Sequence, residues 1–223
     1  MSARVVVFDM DDTLYPEREF VRSALAAAGR HAEREWGWRG MSEEALRLHD
    51  AGARSTIFQQ AAANLGRDPL DAERSAELLS VYRRHRPAAL EWFPDAKEAV
   101  LRLSAESPLE VVSDGYLPTQ ANKFDALGAR AWIPRPVFTE SLGREHWKPS
   151  PAAFRLLMER HPGASFAYVA DNPAKDFVAP RLLGWRSIQI LRPGGVYAGV
   201  APAAGGEPDI VIPDMSLLER HLS

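Results

Sequence analysis

The sequence predicts an α/β protein: a parallel sheet with helices on both faces, interrupted by an all-helical insert. Three observations carry this. Val5-Val6-Val7-Phe8 is a run of apolar, mostly β-branched residues, the composition of a strand buried on both faces. Later strand-like runs at Leu109–Val112, Phe166–Ala170 and Ser187–Leu191 alternate with helical patterns, as parallel sheets require. Between Leu14 and Phe93, by contrast, nothing resembles a buried strand.

The first strand runs directly into Asp9-Met10-Asp11-Asp12, three carboxylates in four positions. No core tolerates them. Strand and acidic turn are compatible only if the carboxylates lie past the strand's carboxyl end, where open α/β sheets keep their ligand crevices. Carboxylates held this close repel, so a cation between them is the natural remedy, and oxygen ligands alone favour Mg2+.

The insert follows. Pro16 to about Trp36 is alanine-rich, with Phe20, Leu25 and Ala28 at helical spacing. Gly37 and Gly40 break it. Ser42 is placed to cap a second helix continuing to Leu65, with Glu43 and Glu44 beside its positive end. Gly66 stops that helix; Asp68 and Pro69 then start a third toward Arg84. Residues 15–93 are therefore expected to form a helical cap, a candidate lid, with residues 1–14 and 94–223 as the catalytic core.

After Pro94 the period changes. An amphipathic helix runs from Asp95 to about Glu106, and the strand at Leu109–Val112 ends in Ser113-Asp114-Gly115. A helix from about Pro118 closes at Gly128, and Val137-Phe138 is a weaker strand. Ser150-Pro151 opens a helix that ends near His161. The strand at Phe166–Ala170 meets Asp171, a helix reaches Gly184, and the last strands fall at Ser187–Leu191 and Asp209–Ile212.

Composition narrows the function. With 27 basic and 30 acidic residues the net charge is −3, which argues against a nucleic-acid binder. No apolar run is long enough to span a membrane and no signal-peptide pattern is present. The absence of cysteine excludes thiol catalysis and fits a reducing, cytoplasmic setting. The histidines show no zinc-binding spacing. Only four of the cations are lysines, Lys97, Lys123, Lys148 and Lys175, so each lysine stands out against an arginine background.

Three predicted strands end in polar residues, Asp9/Asp11, Ser113/Asp114 and Asp171, which one sheet would bring to a single crevice; Lys148 comes from the same edge. Carboxylates, a hydroxyl and an ammonium suit transfer of a phosphoryl group, whose charged transition state is stabilised by positioned cations.

Asp9-Met10-Asp11-Asp12-Thr13-Leu14 resembles the first motif (DxDxT) of the haloacid dehalogenase (HAD) superfamily, and Ser113, Trp147-Lys148-Pro149 and Asp171…Asp176 resemble its second, third and fourth, in the family's order. The resemblance implies a Rossmann-like core with a type I helical (C1) cap between the first two motifs. It implies Asp9 as nucleophile and metal ligand. Asp11 would be general acid/base and lend its carbonyl to the metal, with Thr13 orienting it. Ser113 and the backbone after it would bind the phosphoryl oxygens, Lys148 would neutralise charge, Asp171 would ligate Mg2+ and Asp176 would support that site. Two positions depart from the family pattern: Ala170 stands where glycine is usual, and Asp114 brings a negative charge beside the phosphate in place of asparagine or glycine.

Within that superfamily, Asp11 favours phosphoryl transfer over dehalogenation, which needs no acid two residues past the nucleophile. The absence of lysine from residues 1–96 argues against phosphonatase chemistry, which draws a lysine from the cap. The reading is a Mg2+-dependent phosphatase acting on a small phosphorylated metabolite. A sugar-phosphate mutase, differing chiefly in cap closure, and a catalytically degenerate binding protein are the alternatives. Nothing in the sequence sets the oligomeric state.

Overall fold

A computed structural model describes residues 3–222. The chain divides into two compact units, Met1–Pro16 with Glu91–Ser223, and Glu17–Leu90. The sequence pattern places the insert at residues 15–93 and the core at 1–14 and 94–223.

The first unit is built on six parallel strands: β1 (Arg4–Phe8), β2 (Leu109–Ser113), β3 (Val137–Phe138), β4 (Ser165–Ala170), β5 (Arg186–Ile190) and β6 (Ile210–Ile212). Their order across the sheet is β3-β2-β1-β4-β5-β6, every neighbouring pair parallel. β1 lies between β2 and β4, with Val6 opposite both Leu109 and Ala167. Val5 through Phe8 are wholly buried, which accounts for the absence of any polar residue among them. The chain runs from β1 out through β2 to β3, then returns to β4 on the other side. The loops after β1 and β4 therefore diverge, and a crevice opens beyond their carboxyl ends.

One sheet face carries Val5, Val7, Val112, Phe166, Tyr168 and Ala170, packed against Phe154, Leu157, Phe177 and Trp185. Phe166 and Trp185 stack at 4.3 Å, and Phe154 meets the edges of both Tyr168 and Trp185. The connecting helices are α5 (Pro94–Leu103), α6 (Leu117–Ala126), α7 (Ala152–Arg160) and α8 (Val178–Leu182). α8 is far shorter than the predicted run from Asp171 to Gly184. Residues 172–176 instead form a tight turn, in which the Asn172 side chain accepts from the Ala174 N–H at 3.0 Å and its carbonyl from the Asp176 N–H at 3.1 Å.

The second unit contains α1 (Glu17–Trp36), α2 (Met41–Asp50), α3 (Ile57–Asn64) and α4 (Ala72–Arg84) around a core that includes Leu25, Ala28, Met41, Leu48, Phe58 and Leu78. Trp38 belongs to this core and Trp36 packs on it, with the Arg74 guanidinium over both rings. Two predicted details change. The single helix expected from Ser42 to Leu65 is two helices, parted at Gly52, whose φ of 96° suits glycine and whose N–H is taken by the His49 carbonyl. Ser42 is no cap; it is buried against α1, where its hydroxyl donates to the Ala26 carbonyl. The cap of α4 is Asp71, which accepts from the Arg74 N–H at 2.7 Å, three residues beyond the predicted Asp68.

No helix among the described residues is long and apolar enough to cross a membrane.

Candidate active site

The acidic turn after β1 is held by the backbone. The Asp9 N–H continues the ladder to the Val169 carbonyl at 2.9 Å, the Leu14 N–H returns to the Met10 carbonyl at 2.9 Å, and Asp12 takes a positive φ of 52°. This reversal leaves Asp9 and Asp11 at the crevice while Met10 and Leu14 are wholly buried.

Asp9 meets Lys148 there. The Lys148 ammonium donates to Asp9 Oδ1 at 2.5 Å, to Asp176 Oδ1 at 2.7 Å and to the Tyr168 hydroxyl at 2.8 Å, all in the buried interior. Burial alone would push this lysine down, yet the Asp176 and Asp9 carboxylates hold it well above its usual value. Asp176 accepts further from the Tyr168 hydroxyl and the Asn172 N–H, each at 3.2 Å. Tyr168 reaches this cluster because its ring is fixed between Phe154 and Phe177.

Two acids of the cluster are held above the usual carboxylate range. Burial pushes Asp9 up to about 7, with Lys148 opposing and Asp176 adding to the effect. Asp171 is likewise raised by burial and by Asp9 and Asp176. Its backbone carbonyl accepts from Gln189 at 3.1 Å, while no hydrogen bond reaches its carboxylate among the described residues. The described residues gather no three Asp, Glu or His side chains that would hold a metal unaided. That agrees with the geometry: Asp176 is committed to three donors, leaving the Asp9 and Asp171 carboxylates for a cation. Two carboxylates, completed by water and substrate oxygens, are the donor set Mg2+ commonly takes.

Asp11 sits beside this cluster. Lys123, almost fully buried on α6, donates to both its oxygens at 2.9 Å, and the Tyr15 hydroxyl donates at 2.6 Å. These two groups, and not the Thr13 hydroxyl, hydrogen-bond the Asp11 carboxylate. Thr13 Oγ1 is buried without a hydrogen bond among the described residues.

Ser113 ends β2 with its hydroxyl directed to Gln120 Oε1 at 3.2 Å. Gly115 has a φ of 135°, and a Cβ there would stand 2.4 Å from Gln120 Nε2, so glycine is needed at that turn. Asp114 does not face the crevice uncompensated. Its Oδ1 accepts from the Thr139 hydroxyl at 2.8 Å and the Lys148 N–H at 3.1 Å, and its Oδ2 from the Lys175 ammonium at 3.1 Å. Burial would raise this carboxyl, but Lys148 and Lys175 bring it below its usual value. Asp114 therefore ties the end of β2 to the Lys148 and Lys175 loops.

The structure brings together Asp9, Lys148 and Asp176, with Asp11, Asp114, Asp171 and Ser113 around them. The sequence reading had assigned no role to Tyr15, Gln120, Lys123, Tyr168 or Lys175. Composition did hold a signal: three of the four lysines of an arginine-rich chain bond to acids of the site.

Comparison with known proteins bears on the family and the fold. The family profile of haloacid dehalogenase-like hydrolases matches residues 3–184. A glyceraldehyde 3-phosphate phosphatase from Methanopyrus kandleri is 27% identical over 210 residues, covering 89% of this chain and 88% of that protein. The HAD-hydrolase YfnB from Bacillus subtilis, solved bound to magnesium, shares the fold at a TM-score of 0.69 and 17% identity, with 100% of both chains covered. The 2-haloacid dehalogenase from Pseudomonas syringae pv. Tomato shares it at 0.65 and 24% identity, over 99% of this chain and 98% of that one. With the profile running from before the Asp9–Asp12 turn to beyond the Asp171–Asp176 loop, the chain belongs to the haloacid dehalogenase-like hydrolases.

Proposed function

We propose that this hydrolase is a Mg2+-dependent phosphatase of a small phosphorylated metabolite. The observation that carries the reading is Asp11, a second carboxylate two residues past Asp9, held by Lys123 and Tyr15. A departing halide needs no proton, whereas a departing alkoxide does, so a fixed acid beside the nucleophile suits phosphate esters. The small phosphorylated substrate in the name of the Methanopyrus relative supports the same direction.

In this reading Asp9 attacks phosphorus and the bond to the leaving oxygen breaks as Asp11 delivers it a proton. Water then attacks the phosphorus of the Asp9 acyl phosphate, Asp11 takes its proton, and orthophosphate leaves with the Asp9 carboxylate restored. Lys148 keeps Asp9 oriented and offsets its charge. Ser113 and the N–H groups that follow it would receive the phosphoryl oxygens, and Asp114 would brace that loop. The Asp9 and Asp171 carboxylates and the Asp11 carbonyl would hold Mg2+, with Asp176 bracing Lys148 and the Asn172 turn. The bound ion would supply the positive charge that the buried acids lack.

The test is phosphate release from a panel of phosphorylated metabolites, glyceraldehyde 3-phosphate among them, with Mg2+ and with Asp9→Asn alongside. Release that Asp9→Asn abolishes is the expected result. Equal rates in the mutant would overturn the covalent route, and silence across the panel would overturn the phosphatase reading.

A further inference from the structure

Lys148, expected from the sequence to neutralise charge on both nucleophile and substrate, has no donor left to give. An ammonium carries three N–H groups. Those of Lys148 go to Asp9, Asp176 and Tyr168, and its side chain has no exposed surface. A second ammonium stands close by. Lys175 lies in the turn between Asp171 and Asp176, and its side chain is 36% exposed. Among the described residues its only side-chain hydrogen bond is to Asp114 Oδ2, at 3.1 Å, so two N–H groups remain to be given. It is one residue before Asp176 and bonded to Asp114, so its charge stands beside the same cluster. Asp114 in turn is anchored by Thr139 and the Lys148 N–H, and so fixes where the Lys175 head group sits.

We propose that Lys175, held by Asp114, is the substrate-binding cation of this site and donates to the non-bridging oxygens of the phosphoryl group, while Lys148 serves the nucleophile. This rests on the phosphatase reading and deepens it. It also accounts for the acid at position 114: its charge is matched by the lysine it aims, and the pair presents a directed ammonium in place of a neutral amide.

The competing explanation is that Lys175 only neutralises Asp114. Binding of orthophosphate to the intact protein with Mg2+, measured by titration calorimetry, separates the two. Lys175→Met is expected to weaken binding about tenfold or more, the loss of a charge-assisted hydrogen bond. Adding Asp114→Asn to that variant should not restore it. Asp114→Asn alone should tighten binding, because the amide oxygen can still hold Lys175 while the negative charge beside the anion is gone. In turnover, Lys175→Met should raise KM far more than it lowers kcat, with Lys175→Arg recovering part of the loss. The inference is overturned if the double variant regains wild-type affinity, if Lys175→Met binds as wild type does, or if the wild type binds no orthophosphate. Should Lys175→Met fail to fold with Asp114 uncompensated, the double variant lacks that charge and carries the test alone. Failure of the phosphatase reading looks different: the wild type would bind orthophosphate through Lys175 yet release none from any substrate.

Discussion

Lys123 stands 2.9 Å from each carboxylate oxygen of Asp11, across 112 residues of sequence. The contact links α6, which follows β2, to the turn that follows β1. It fixes the orientation of the carboxylate at position 11.

Removing that contact tests positioning. Lys123→Met should lower kcat about 100-fold with little change in KM, the loss typical of a reacting group displaced by about 1 Å. Lys123→Arg should recover part of it. A steady-state comparison in which KM rises while kcat holds would place Lys123 on the substrate instead.

Lys148→Met should destabilise the fold as well as stop turnover. It leaves Asp9 and Asp176 without their shared buried partner, a loss of about 3–5 kcal/mol. Thermal denaturation reads this directly, and an unchanged melting temperature would mean the ion cluster contributes nothing to stability.

Stability without a divalent ion should fall as pH rises from about 4 to about 7. The folded-state value of Asp9 is pushed up to about 7, chiefly by burial, against about 3.9 in an unfolded chain. Between these values the folded state holds the extra proton, so raising pH removes stability. Mg2+ should stabilise more at about pH 8 than at about pH 5, where protons compete for Asp9 and Asp171. Melting curves with Mg2+ or with chelator at both pH values check the sign. An equal Mg2+ effect at both would remove these carboxylates from the cation site.

Gly29→Ala should destabilise the helical unit by about 1–3 kcal/mol, since the added Cβ would stand 2.3 Å from Ser42 Cα and force α1 from α2. Hydrogen exchange should show the loss within residues 17–90. Unaltered protection there would mean the two helices separate at little cost.

Much of the candidate site is legible in the sequence. Asp9, Asp11, Ser113 and Asp171 stand out in the sequence because an apolar run stops at a polar group, whereas Lys148 and Asp176 are singled out chiefly by their resemblance to the third and fourth HAD motifs. Helix boundaries were less legible. Gly52 divides a helix that propensity would continue, and Asp71 was passed over for Asp68, because several nearby residues could serve as caps and tertiary fit selects among them.

What the sequence determined by itself was the alternation of buried strands with helices, the insert, and the order of polar residues at the strand ends. Those features follow from side-chain periodicity within a few residues. Only the tertiary structure decided the partners: Lys123 with Asp11, Tyr168 with Lys148, Lys175 with Asp114. These pairs join residues 112, 20 and 61 positions apart, and no local pattern records them. They form because the parallel strand order carries the ends of β1, β2 and β4 to one edge, where buried charges must find each other or remain unpaired.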